Sequence, residues 1–262
     1  MSHPLRARVM RWPSADAARI GDADVKVYTA SLLADGGTLE RAVGTLSRAE
    51  RERYSAYTND VVARRFAVGR AMVREMLGAL QSVSATSVRL VEGEFGKPAL
   101  APDAAQPLWF SIAHCDDLLL VALSRVGEVG VDVERTRPID CWERVADRTL
   151  APAERTQLVR AVERGEDADY VFLRHWCRVE AELKAIGCGI HGLEAHRAGE
   201  RPDRLRVVDL AKLPLPTELV TGSARYQAAV ALCAPSEKAR QAVRAPSQQK
   251  MPSAAPARAS TP

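Results

Sequence analysis

The chain has no apolar run approaching the ~20 residues needed to cross a bilayer, and its opening residues, Met-Ser-His-Pro-Leu-Arg, offer no apolar stretch of signal-peptide length. Aromatic residues are scarce, at 5%, too few for a stacking platform that would hold single-stranded nucleic acid. The five cysteines (Cys115, Cys141, Cys177, Cys188 and Cys233) are odd in number and include no Cys-x-x-Cys pair. That spacing argues against a disulfide framework or a zinc knuckle and for a reducing compartment. These absences read as a cytoplasmic protein with no membrane partner. The rest of the composition, 47% hydrophobic and 27% charged, is that of an ordinary globular chain.

A net charge of +4 would invite a nucleic-acid reading, but its location speaks against one. From Pro235 onward, Lys238, Arg240, Arg244, Lys250 and Arg258 face a single acid, Glu237. The tail therefore carries the whole excess and leaves the body neutral, without a basic face. The tail, residues 235–262, is rich in Ala, Pro, Ser and Gln without apolar periodicity, a composition that predicts disorder.

Local patterns give the elements. Ser47 followed by Glu50 is a capping-box signature, and the stripe Phe66, Gly69, Met72, Val73, Met76, Leu77 predicts a helix over Leu46–Leu80 that stops near Gly78. Leu108–Ile112 reads as a strand. Leu118–Leu123 and Val129–Val133 read as a hairpin turning at Arg125-Val126-Gly127-Glu128. Helices are expected over Thr149–Arg164 and Asp169–Ile186, and strands over Leu205–Leu210 and Arg225–Cys233. This order predicts an α+β fold of two similar-sized halves, residues 1–115 and 116–234.

Three clusters could carry chemistry. In Gly130-Val131-Asp132-Val133-Glu134 the two acids lie at i and i+2 of a strand and point to one side. Adjacent carboxylates of this kind suit a hard divalent cation such as magnesium. In the helix Trp176–Ile186, the apolar face Phe172, Trp176, Val179, Leu183 and Ile186 leaves Glu180 and Lys184, spaced i and i+4, at its edge. In the third cluster, Lys97 sits in the loop Phe95-Gly96-Lys97-Pro98 and His114 closes the strand Phe110-Ser111-Ile112-Ala113-His114. Alone, each is an ordinary surface feature.

Their combination and order are informative. Together with Leu46-Ser47-x-x-Glu50-x-x-Arg53 and Arg65-Phe66-x-x-Gly69-Arg70, these segments resemble the 4′-phosphopantetheinyl transferase superfamily, in its larger monomeric class that activates surfactin synthetase. The resemblance spans roughly residues 46–190. It implies two α+β halves related by a pseudo-twofold axis, with coenzyme A in the cleft between them. It also implies a monomer that acts on an apo-acyl or peptidyl carrier protein. By position, Asp132, Glu134 and Glu180 correspond to metal-binding acids; magnesium or manganese accepts such ligands, and Glu180, next to the metal, is read as the general base. Lys184 corresponds to the residue assisting the leaving group, and Arg53, Arg65, Lys97 and His114 to those that bind the nucleotide of coenzyme A. Two departures stand out: Val179 where many members carry Lys, and Ala113 where many carry Ser. With Val179 in the apolar stripe, the cationic role falls to Lys184, or to Arg178 if the helix turns differently. The departures also admit a catalytically impaired relative that binds coenzyme A or a carrier.

Overall fold

The computed structural model describes residues 7–11, 24–102, 107–220 and 224–234; the tail expected to be disordered lies outside them. The first sheet contains β1 (Ala7–Arg11), β2 (Val25–Ser31), β5 (Trp109–Cys115) and β6 (Leu118–Ser124), in the order β1-β2-β6-β5. A second sheet contains β7 (Glu128–Arg135), β8 (Leu205–Asp209) and β9 (Tyr226–Cys233), in the order β7-β9-β8. A small ladder, β3 (Leu90–Glu92) with β4 (Pro98–Leu100), stands apart. The helices are α1 (Gly36–Thr45), α2 (Arg48–Ser55), α3 (Asp60–Gln81), α4 (Trp142–Thr149), α5 (Pro152–Glu163), α6 (Ala168–Ile186) and α7 (Leu193–Arg197). The fold is α+β, and among the described residues no helix is long and apolar enough to cross a membrane.

The core has four layers. Val68, Val73 and Leu77 of α3 pack on Tyr28, Leu119 and Val121, on one face of the first sheet. On its other face, Val27, Leu118 and Leu120 meet Val131, Val133 and Val230 of the second sheet. The far side of that second sheet, Ala229 and Ala231, meets Cys177, Ala181 and Ala185 of α6. Both faces of β2 and β6 are therefore covered, which is why every residue of these strands is buried and why β6 is almost continuously apolar. The small residues at the α6 contact let helix and sheet approach closely. A Cβ at Gly130 would stand 1.9 Å from the Ala181 carbonyl oxygen.

Several expectations need correction. The helix expected over Leu46–Leu80 is two helices, α2 and α3, separated where Asn59 accepts from the backbone N–H groups of Val61 and Val62 and so starts α3. Nor does α3 stop at Gly78. It runs to Gln81 and ends on Ser82 in the left-handed region, φ 58°. Gly78 is needed for packing, since its Cβ would lie 2.8 Å from the Val83 carbonyl oxygen. The hairpin is not formed by Leu118–Leu123 and Val129–Val133. β6 pairs with β5 and β2, whereas β7 pairs with β9. Residues 125–127 instead carry the chain from one sheet to the other, a change of sheet that falls after the expected boundary at 115/116. Turn chemistry marks where a chain bends but does not choose the strand's partner, so the signal at 125–128 does not distinguish a hairpin from a crossing between sheets.

Candidate active site

The two sheets meet along β5 and β7. The Val131 N–H donates to Ser111 Oγ at 3.2 Å and the Arg135 N–H donates to Cys115 Sγ at 3.3 Å. The offset is the same in both bonds, so the strands run side by side in one direction and bring His114 beside the two acids of β7. Helix α6 lies across β7 and contributes Glu180 and Lys184. Helix α3 contributes Arg65, held by Asp117 of the β5–β6 turn.

Lys184 is the centre of the cluster. Its Nζ donates to Asp132 Oδ1 at 2.7 Å and to the Val131 carbonyl at 3.2 Å, and stands 3.9 Å from Glu180 Oε2. Burial raises the Glu180 pKa, Lys184 works against that rise, and Asp132 and Glu134 add to it. The thiol of Cys177 lies under the acids. Burial, reinforced by Asp132 and Glu134, pushes its pKa up and keeps it protonated. Glu134 is taken up by Arg137, whose Nη1 is 2.7 Å from Glu134 Oε2. His114 is lowered by burial and then by Arg65 and Lys184, with Asp132 opposing. That pattern places all four groups within electrostatic reach.

Asp132, Glu134, Glu180, Lys184, His114 and Arg65 are thus brought together from four elements. Arg53 and Lys97 stand apart, in two neighbouring pockets that share Pro98 and Ala101. Arg53 lines a pocket of about 430 Å³ with Arg70 and Arg74; its guanidinium lies 5.2 Å from the Phe66 ring centroid and 3.5 Å from Glu92. Lys97 lines one of about 470 Å³ with Phe95, Trp109 and Ile186, and its Nζ is 2.6 Å from Glu128. Ile186, expected on the buried face of its helix, is 39% exposed and lines this pocket. Val179 is fully buried, as its stripe implies. Arg178, the alternative to Lys184, stands 3.6 Å from Asp209 of β8 instead.

The donor set suits a hard divalent cation. Three carboxylates come from two adjacent elements, and Asp132, only 8% exposed, has one buried oxygen, Oδ2, that accepts no hydrogen bond. As the side chains stand, Lys184 and Arg137 draw the acids aside, and no group of three or more His, Cys, Asp or Glu among the described residues is already closed around one point. Two contributors were missing from the sequence reading. Arg137 had a local signal, three residues beyond Glu134. Asp117, which holds Arg65, had none, because the two are 52 residues apart.

Residues 128–231, from β7 through β9, match the family model described as the 4′-phosphopantetheinyl transferase superfamily. Among curated proteins, the chain is similar to the 4′-phosphopantetheinyl transferase HetI of Nostoc sp., 34% identical over 60% of this chain and 65% of that protein. The 4′-phosphopantetheinyl transferase AcpT of Salmonella typhimurium is 40% identical over 37% of this chain and 49% of its own length. A putative 4′-phosphopantetheinyl transferase of Synechocystis sp. is 33% identical over 56% and 59%. The chain spans between about half and two thirds of the length of these relatives.

Proposed function

The chain belongs to the 4′-phosphopantetheinyl transferase superfamily, and from that premise we propose that it transfers the 4′-phosphopantetheine moiety of coenzyme A to a serine of an apo-acyl or peptidyl carrier protein, releasing 3′,5′-ADP. The observation that carries this reading is Lys184 standing between Asp132 and Glu180, opposite His114 and Arg65. An ammonium among carboxylates, with an arginine and an imidazole nearby, is an arrangement for a diphosphate held with a metal. On this reading the sheet covered by α3 and the sheet covered by α6 are the two halves of a monomer of the larger class. They are related by a pseudo-twofold axis, and the nucleotide lies between them.

Asp132, Glu134 and Glu180 would hold magnesium or manganese, which supplies charge neutralisation at the pyrophosphate. Glu180 takes the proton from the carrier serine, directly or through a water. The serine oxygen bonds to the phosphorus that bears the pantetheine arm, and the bond from that phosphorus to the oxygen of 3′,5′-ADP breaks. Lys184 offsets the negative charge growing on that oxygen. Arg65 and His114 at the site, with Arg53 and Lys97 in the adjoining pockets, hold the nucleotide. Positioning and charge stabilisation suffice for such a transfer, and no covalent enzyme intermediate is required.

The test is to incubate the protein with apo-carriers of fatty-acid, polyketide and peptide type, coenzyme A and magnesium, and to weigh each carrier. A gain of one phosphopantetheine arm that chelator abolishes is the expected result. Coenzyme A binding without a mass gain on any carrier would favour the catalytically impaired relative.

A further inference from the structure

The turn joining β5 to β6 carries two consecutive acids, Asp116 and Asp117. Asp117 receives both arginines at positions 64 and 65 of α3. Arg65 donates from Nε to Oδ1 at 3.0 Å and from Nη2 to Oδ2 at 3.2 Å, and Arg64 donates from Nη2 to Oδ1 at 2.9 Å. The three side chains are only a fifth to a quarter exposed. The turn is fixed from behind by the Leu32 N–H, which donates to the Asp117 carbonyl at 2.7 Å. Asp117 also lies three residues beyond His114, and the field of Arg65 reaches that imidazole.

A guanidinium has five N–H donors in a rigid plane. The fork to Asp117 uses Nε and one hydrogen of Nη2, so Nη1 and the second hydrogen of Nη2 are not committed to any acid. One carboxylate between two arginines also leaves the group with a net positive charge. We propose that Asp117 is a positioning residue for coenzyme A: its fork fixes the Arg65 guanidinium beside His114, so that the uncommitted donors form a preordered anion site for a phosphate of the nucleotide. This rests on the reading of Arg65 as a phosphate ligand. A free arginine side chain has many rotamers to lose on binding. Ordering it before the ligand arrives removes that cost from binding.

The test compares Asp117→Asn, which keeps the turn's shape, with wild type by calorimetry of coenzyme A binding and by steady-state transfer. Loss of the fork should raise the Kd and KM for coenzyme A about tenfold, while kcat stays within about threefold. Arg65→Lys, which keeps the charge but cannot form the fork, should reproduce the loss and serves as the second variant should Asp117→Asn fold poorly. In an Arg65→Ala background Asp117→Asn should have no further effect. Asp116→Asn breaks the half-exposed pair with Arg135 on the same turn and should leave the Kd unchanged. A wild-type Kd for Asp117→Asn, or an equal loss in the Arg65→Ala background, would overturn this role alone. A wild-type protein that binds no coenzyme A would overturn it together with the proposed function.

Discussion

Gly130 of β7 and Ala181 of α6 approach more closely than any side chain permits: a Cβ on Gly130 would fall 1.9 Å from the Ala181 carbonyl oxygen and 2.5 Å from the Ala185 nitrogen. Both obstacles are helix backbone, which cannot swing aside as a flexible side chain would. Gly130→Ala must therefore push α6 off the sheet. Overpacking of this kind costs about 1–3 kcal/mol or more. The same displacement would carry Glu180 and Lys184 away from Asp132, and an error of about 1 Å in such a site can cost about a hundredfold in rate. A lowered melting temperature together with at least that loss of transfer is the expected result. A variant that melts and turns over like wild type would mean that the close approach does not set the site.

Glu180→Gln separates chemistry from binding. The amide keeps the shape of the side chain but can take no proton, so turnover should fall by about 10²–10⁴-fold. Calorimetry should find the coenzyme A affinity within about threefold of wild type. If turnover survives, neither the base nor the ligand role belongs to this residue.

Lys97→Ala tests the nucleotide side. The ammonium is held by Glu128 at 2.6 Å, which links the β3–β4 loop to the start of β7 and leaves the charge in a pocket away from Lys184. Removing it should raise the KM for coenzyme A severalfold and lower kcat by less, the signature of binding shared by ground and transition states. A fall in kcat with unchanged KM would place Lys97 at the reacting centre instead.

The parts of the molecule legible in the sequence are those written at short range. The Ser47–Glu50 capping box forms both of its bonds, at 3.3 and 2.8 Å, because all its atoms lie within one turn. Asp132 with Glu134, and Glu180 with Lys184, were readable from the periods of strand and helix. What joins distant segments left no local trace. Glu50 also accepts from Arg74 Nε at 2.7 Å, 24 residues on. The strand β2, Val-Lys-Val-Tyr-Thr-Ala-Ser, is rich in strand formers, but its burial on both faces was not legible, since Lys26 and Thr29 are as buried as the valines beside them. The pairing of β6 with β5 and of β7 with β9 depends on which sheet the chain enters, which the turn at 125–128 does not specify.

A buried ionic cluster behind α6 went unread for the same reason, and it predicts how stability depends on pH. His196 of α7, 3% exposed, stands 2.9 Å from Glu154 of α5 and 3.3 Å from Glu182 of α6, and Arg201 contacts both carboxylates. Burial alone would lower the imidazole pKa. The bonds to Glu154 and Glu182 outweigh that and raise it from 6.5 to about 9. Burial alone would raise Glu154, but His196, the Ala151 N–H and Arg201 bring it from 4.5 down to about 2. A raised pKa stabilises the fold fully below 6.5 and is lost as pH climbs through about 9. A depressed one stabilises above 4.5 and is lost as pH falls through about 2. The cluster therefore contributes most between these limits, near pH 4.5–6.5. The shift at His196 corresponds to roughly 3 kcal/mol. Wild-type stability, followed by denaturant melts, should decline between pH 6.5 and 9 from this source. His196→Gln should be several kcal/mol less stable at pH 6, where it removes the imidazolium between Glu154 and Glu182 and leaves both carboxylates to Arg201. The gap should narrow toward pH 9, as the wild-type ring loses its proton. Two curves that stay parallel across that range would show that His196 is not charged in the folded protein.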